Sequence, residues 1–540
     1  MANKRLFQTT AGRLIPQTDG QNEAGGAAYI LSAKQALAQY AATGCMNSTF
    51  YTSAEAQLAT VLELCQNVSA EFIGKTAVYC REHGFMKDVP ALLVAVLSMR
   101  DHEVFKAAFL RVIDSGKMLR NFVQIMRSGA VGRKSLGSLP KRMVTRWLNE
   151  HNETALFRAS IGQSPSLADV VKMVHPKPHS ASRKAFYGYL IGREHDEAAL
   201  PQLVREFEAF KADTTREVPR VPFRMLTALE LGQREWRAIA RGAPWQMTRM
   251  NLNTFARHGV FDGDEEGQRL TERIADRLRS PKLISRARVF PYQLMAAYNN
   301  VDSAVPHEIR EALHDAMEIA LQNVPKVEGK VFVLPDVSGS MSSPVTGYRR
   351  GATSAVRCID IAALVAAALM RQNRKTEVLP FEHEVVSLQL TRRDSVMTNA
   401  QKLARIGGGG TNCSAPLALL NKRKARGDLV IYVSDNESWV DSKASRGTAT
   451  MVEWRRFQQR NKKAKLVCID VQPYRTVQAA ESEEILNIGG FSDRVFEVID
   501  RFARGTLGAD HWVGEIEKTE LVDSEDGQEA AAEEPLTRLN

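Results

Sequence analysis

The sequence predicts a multidomain chain in which an all-α helical-repeat (HEAT-like) module is followed by an α/β doubly wound domain. Three observations carry this prediction. From about residue 32, apolar residues recur at three- and four-residue spacing in segment after segment. Near residue 325 that pattern gives way to short continuous apolar runs alternating with helical ones. With 540 residues, 44% hydrophobic and 25% charged, the chain can bury more than one core.

The helical segments come first. "AEAQLATVLELC", "DVPALLVAVLSMRDHEVFKAAFLRVI", "LADVVKMV", "EAALPQLVREFEAFK", "DGDEEGQRLTERIADRLRS" and "PHEIREALHDAMEIALQNV" all keep an apolar stripe at helical period. Turns such as "DSGK", "SLPK", "HPKPHS" and "RSPK" join them. Helices of ten to eighteen residues with short turns suit antiparallel pairs stacked as a solenoid. No clean sequence repeat supports this, so the repeat reading rests on helix length and spacing. The expected organisation is a helical module over residues 1–325, an α/β domain over 326–514 and an acidic, disordered tail over 515–540.

Beyond "NVPKVEGK", five short strands are expected: 331–336, 376–381, 384–390, 428–435 and 464–471. Helical patterns at "TSAVRCIDIAALVAAALMRQN", "DSVMTNAQKLARI", "TMVEWRRFQQRN" and "DRVFEVIDRFA" separate or follow them. Strands apolar on both faces and separated by helices form a mostly parallel sheet covered on both sides. Such sheets bind ligands at the carboxyl ends of their strands, near the point where strand order reverses.

At those ends the sequence places oxygen ligands. Asp336 closes "VFVLPD", and Ser338 and Ser340 follow it in the next loop. Thr411 lies in "GGGGTNCS", and Asp435 closes "DLVIYVSD". With neither His nor Cys among them, the matching ion is hard: Mg²⁺ first, Mn²⁺ second, zinc disfavoured. Mg²⁺ keeps several waters, which leaves room for an incoming carboxylate. "IGGGGTN" lacks the G-K-[ST] of a phosphate loop and reads as a flexible turn that lets Thr411 reach the metal. Only Glu437 stands nearby as a general base, so no enzymatic activity is expected. Asp262, Asp264, Glu265 and Glu266 precede a helix and are read as stabilising its N-terminus.

Charge divides unevenly. The formal charge is +10; residues 515–540 hold nine acidic and two basic residues, so the first 514 carry +17. Residues 100–150 hold eleven Lys/Arg against four Asp/Glu. A basic helical body of this kind can neutralise phosphates. The six cysteines form no C-x-x-C pair and are expected to be reduced and mostly buried. The longest apolar runs are too short to span a bilayer and the N-terminus has no apolar signal core, so a cytoplasmic location away from membranes is expected.

"DVSGSMS", Thr411 and Asp435 fill the D-x-S-x-S…T…D pattern of the metal-ion-dependent adhesion site in von Willebrand factor A domains. Together with "LISRARVFPYQLMAAY", "GGGGTNCSAPLALL", "VSDNES", "AKLVCIDV" and "GGFSDRVFEVIDRF", they make the chain resemble the Ro autoantigen family. That family joins an RNA-binding helical-repeat (TROVE) module to such a domain, and the chain reads as a bacterial-type member.

The resemblance implies a ring of helical repeats and binding of small noncoding Y-type RNA on its outer surface. It also implies entry of single-stranded 3′ ends of misfolded RNA into the hole, a 3′ exoribonuclease tethered through the RNA, and a monomeric protein. The family's L-x-H-x-K-P element matches "KMVHPKP", which gives His175 with Lys172 and Lys177. Arg158 matches the upstream basic position, whereas the next falls on Gly162 instead of an arginine. Lys141 and Arg142 join the expected RNA-binding set. Because "PKPH" follows His175, His175 and His179 cannot form an i, i+4 metal pair on a helix. The alternative reading is a metal-dependent protein-adhesion module whose basicity is incidental.

Overall fold

The computed structural model describes residues 15–43, 46–287, 289, 291–321, 324, 326–348, 356–439, 447–472, 474–490, 493–507 and 510–521. Two compact units divide the chain, and neither is a single stretch. One comprises Met1–Val68, Val289–Asn299 and Met317–Lys518; the other comprises Ser69–Arg288, Asn300–Ala316 and Thr519–Asn540. The first sixty-eight residues thus belong with the sheet, a grouping that the change of pattern near residue 325 does not convey.

The helical unit follows the apolar spacing closely. Helix Asp88–Arg100 buries every residue from Val89 to Ser98, so the longest apolar run is a core helix that its neighbours Ala70–Glu82 and His102–Val112 surround. Asp101 divides the apolar-periodic stretch 88–113 into two helices. Its backbone is extended and its carboxylate accepts hydrogen bonds from the amides of Glu103 and Val104 at 3.0 and 3.1 Å, capping the second helix. Helix Gln202–Ala212 starts only after Pro201, which cannot donate within a helix. Asp264 caps helix Glu265–Leu278 through the Gly267 amide at 2.8 Å, and Arg237 holds Asp264 and Glu266. The acidic run therefore stabilises a helix start.

A buried arginine fixes the middle of this unit. Arg183, 1% exposed, donates to the Leu148 carbonyl at 2.7 Å and the His151 carbonyl at 2.6 Å. It also donates to Glu153 Oε1 at 3.0 Å and the Tyr187 hydroxyl at 3.2 Å. It ties the end of helix Ser138–Glu150 to helix Ala181–Ile191.

In the other unit, strands β1 (Gly20–Gln21), β2 (Ala27–Ile30) and β7 (Thr476–Val477) form a small antiparallel sheet. The main sheet is parallel, in the order β4 (Thr376–Val378), β3 (Val331–Pro335), β5 (Leu429–Ser434), β6 (Lys465–Asp470), β8 (Ile485–Gly489). Every residue of β3, β5 and β8 is buried, as expected of strands covered on both faces. Helix Cys358–Gln372, buried from Cys358 to Met370, makes the crossover from β3 to β4. The chain then returns to the far side of β3 to form β5. Strand order therefore reverses between β3 and β5, where Asp336 and Asp435 emerge.

Two strand expectations are corrected. Residues 384–390 form no strand: Glu382 N–H donates to the Glu384 carbonyl and Val386 N–H to the Pro380 carbonyl, so the segment folds back, touching strand-like geometry only at Phe381 and Val385. β8 was not anticipated, because "ILNIG" is short and holds an asparagine and a glycine. The tail also begins later than expected: residues 515–517 lie in helix His511–Glu517, the Glu520 carbonyl accepts from Arg111, and Leu521 packs beside Gly74. Residues 522–540 lie outside the described residues, as does Cys45. The other five cysteines are buried. No helix among the described residues is long and apolar enough to cross a membrane.

Candidate metal centre and basic surface

All five residues of the expected metal set are buried at the carboxyl edge of the sheet. Asp336 continues β3, its N–H donating to the Val433 carbonyl at 3.0 Å. One of its carboxylate oxygens accepts from the Ser338 amide at 2.8 Å and the other from the Ser434 hydroxyl at 2.6 Å. The hydroxyls of Ser338 and Ser340 lie 3.3 Å apart. Backbone bonds lock three loops together: Gly339 N–H to the Gly409 carbonyl, Gly408 N–H to the Val337 carbonyl, and Trp439 N–H to the Thr411 carbonyl, at 3.1, 3.1 and 3.2 Å. Gly408 and Gly409 have φ of +133° and +71°, backbone that favours glycine, and this lets the loop bring Thr411 in. The structure thus places the predicted residues of all three loops at one edge.

Burial dominates the electrostatics at this edge. Burial, then the neighbouring Asp435, pushes the Asp336 carboxyl up to about 7. Burial likewise raises Asp435, although Ser340 opposes it. Glu437 and Asp470 are pushed well above the usual carboxylate range by burial and by Asp435. Asp435 Oδ2 has no hydrogen-bond partner. Among the described residues no three His, Cys, Asp or Glu side chains form a metal cage. The five-residue set does not need one, since it has two carboxylates, with hydroxyls and water to complete a magnesium shell. A buried carboxylate with an open oxygen beside hydroxyl donors fits a hard cation.

The N-terminal residues contribute to this edge, which no local sequence signal reveals. Ala24 N–H donates to Glu437 Oε2 at 3.1 Å, and the Asn22 amide donates to the Ser438 carbonyl at 2.7 Å. Gly26 passes so close that a Cβ there would stand 2.2 Å from the Ser438 carbonyl oxygen. Tyr51 lies beside Ser340 and Asp435; burial and that carboxylate raise its hydroxyl pKa.

The expected RNA-binding residues lie in the helical unit. Lys141 and Arg142 sit on helix Ser138–Glu150, Arg158 on Glu153–Ala159 and Lys172 on Leu167–Val174. His175 caps that last helix in the left-handed conformation, φ +50°, and Lys177 follows. Arg142, Lys172, His175 and Lys177 are exposed; Lys141 and Arg158 are half-buried. Helices Gly116–Ser128 and Ser138–Glu150 both pack on Leu167–Val174. Lys172 and Arg127 accordingly act on the same carboxylate, Asp169, whose pKa the Ser166 bonds already lower. Arg127 belongs to the basic stretch but carries no distinguishing motif. Where an arginine is missing at Gly162, one arrives from elsewhere: the Arg120 guanidinium lies 2.6 Å from the position a Cβ at 162 would take, and donates to the Ala159 carbonyl at 2.7 Å.

Residues 330–503 match the family model of the Ro60 vWA domain. The chain is 24% identical over 526 residues to the RNA-binding protein RO60 of Deinococcus radiodurans, covering 90% of this chain and 96% of that relative. Its fold is similar to the crystal structure of the Deinococcus radiodurans RO (RSR) protein, with a TM-score of 0.62 and 20% identity, covering 88% of this chain and 100% of that one. The D-x-S-x-S…T…D edge and the parallel sheet that carries it therefore lie in a Ro60-type von Willebrand factor A domain, residues 330–503, within a chain that is similar over most of its length to the Deinococcus Ro protein.

Proposed function

We propose that this protein is the RNA-binding scaffold of a small ribonucleoprotein, holding a structured, Y-type noncoding RNA on its basic helices and acting in RNA quality control. The observation that carries this is the state of the basic side chains. Lys141, Arg142, Arg158, Lys172 and Lys177 make no salt bridge among the described residues, although their neighbour Arg146 is paired with Glu150. Cations outside a salt bridge on a helical surface, Lys172 included although its charge acts on Asp169, are available to phosphates. The similarity to the RNA-binding protein RO60 of Deinococcus radiodurans points the same way.

In this reading His175, held outward by its left-handed backbone, meets an unpaired base and the lysines beside it meet phosphates. Single-stranded 3′ ends of misfolded RNA are the second ligand, and a 3′ exoribonuclease tethered through the RNA is the partner that degrades them. The A domain holds Mg²⁺, or Mn²⁺, through Asp336, Ser338, Ser340, Thr411 and Asp435, and offers its remaining coordination position to a partner carboxylate. The chain acts as a cytoplasmic, monomeric scaffold with no reaction of its own. Purification under mild salt followed by sequencing of any bound nucleic acid tests the reading. A ribonuclease-sensitive species of discrete length supports it; protein free of RNA that captures only other proteins favours the adhesion alternative.

A further inference from the structure

The sheet edge holds more buried negative charge than one ion can balance. Asp336, Asp435, Glu437 and Asp470 are each at most 1% exposed, none is in a salt bridge among the described residues, and none of the groups that shift their pKa values most is a lysine or arginine. A divalent ion at the five-residue site balances Asp336 and Asp435. Glu437 and Asp470 remain. Uncompensated buried carboxylates are costly, and buried acceptors without donors point to protons, water or an ion.

Strand register places Asp336 and Asp470 in a row, and Glu437, which follows β5, is within electrostatic reach of Asp470. Asp336 stands opposite Ser434, Ser434 pairs with Asp470, and Asp470 pairs with Gly489. Register partners in a parallel sheet point to the same face. The side-chain space left by Gly489 is taken by Gln39, whose Oε1 lies 2.1 Å from where a Cβ on Gly489 would stand. Gln39 is 1% exposed and that oxygen has no hydrogen-bond partner. Gln472, fully buried, donates its amide to the Pro344 carbonyl at 3.0 Å and so leaves its Oε1 without a donor. Both Asp470 oxygens and Glu437 Oε1 are likewise unpartnered. The Asn436 amide and the Gln472 N–H lower the Asp470 pKa, although neither makes a hydrogen bond to its carboxylate by geometry.

We propose that Glu437 and Asp470, with the amide oxygens of Gln39 and Gln472, form a second position for a hard divalent cation, one strand along from the five-residue site. Two carboxylates and two neutral oxygens suit such an ion, with water completing the shell. The proposal rests on the reading of the five-residue site only in that charge accounting. Because the Ala24 amide holds the other oxygen of Glu437, an ion here fastens the N-terminal turn to the metal loop.

The test counts manganese bound to the full, chelator-treated chain by the paramagnetic resonance signal of the free ion, comparing near-isosteric variants with wild type. Asp470→Asn and Glu437→Gln are each expected to bind one ion fewer. Either variant, folded by circular dichroism and binding as many ions as wild type, overturns the proposal, and protonated carboxyls then account for the edge. Asp336→Asn separates the two readings. If it binds the wild-type number while Asp470→Asn binds one fewer, the five-residue reading fails and the second position stands.

Discussion

Replacing Arg183 with methionine isolates the cost of unmaking a buried polar junction in the helical unit. Methionine retains the apolar stem and removes the four bonds to Leu148, His151, Glu153 and Tyr187. The Glu153 side chain is 20% exposed and regains some water, so its share of the loss is modest. The two backbone carbonyls lose a charged donor, and each orphaned group costs about 1–3 kcal/mol. Breaking a buried ion pair by removing one partner costs about 3–5 kcal/mol, so a total near 4 kcal/mol is expected. For a unit of this size each kcal/mol moves the midpoint by about 2–4 °C, which predicts a fall of about 8–16 °C by scanning calorimetry.

The pH dependence checks the cause of that loss. Burial is the largest single influence on the Glu153 carboxyl and raises it, but the bond and charge of Arg183 together with a backbone hydrogen bond outweigh burial and leave the pKa below its ordinary value. A depressed carboxylate contributes stability that is present above its unfolded value, about 4.3, and lost as pH falls through the folded one. The gap between wild type and Arg183→Met should therefore narrow below about pH 4. A midpoint change under about 3 °C at neutral pH would refute the reasoning, because it would mean that the carbonyls find other donors at little cost.

Other parts of the account have their own measurements. Gly26→Ala forces a Cβ against the Ser438 carbonyl, and a loss of about 1–3 kcal/mol with weaker manganese binding is expected; unchanged binding would show that the turn can withdraw freely. Asp336→Asn should reduce, by the share owed to the five-residue site, the stabilisation that Mg²⁺ confers on the A domain in a thermal melt while leaving RNA affinity within about threefold. Glu481, which burial pushes up to about 7, favours the folded state when protonated, so stability should fall as pH rises from its unfolded value through about 7. Glu481→Gln should flatten that slope in urea titrations. Deleting residues 523–540 should leave the melt unchanged and slightly strengthen nonspecific RNA binding at low salt; a cut that also removes Glu520 and Leu521 should lower the midpoint, since Arg111 and Gly74 lose their contacts.

What could be read from the sequence was what is encoded locally or by strand order. Continuous apolar runs identified β3 and β5, and the rule that ligands gather where strand order reverses placed Asp336 and Asp435 together. Residues 384–390 misled because a short apolar run alone cannot say whether a neighbouring strand will accept the segment; here it folds back on Phe381. β8 was overlooked because its burial depends on β6 and Gln39, not on its own composition. Least legible was the role of residues 22–51. Contacts such as Ala24 to Glu437 span more than four hundred positions, and the small residues that permit them, Gly26 above all, look like an ordinary turn. The Arg120 guanidinium over Gly162 is similar: the charge is present in space but displaced in sequence.

The central claim, that unpaired cations of the helical unit bind RNA through phosphates, is tested most directly by the salt dependence of affinity for a structured RNA that co-purifies with the protein. Log K should fall linearly with log salt. Arg158→Ala, the Lys141, Arg142 double alanine and Lys172→Ala should each weaken binding across RNA sequences and reduce the slope by about one per phosphate contact removed. His175→Ala should change specificity with little change in slope, because a neutral imidazole meets a base without releasing a counterion. Wild-type affinity and slope in all four variants, each shown to be folded, would contradict the account.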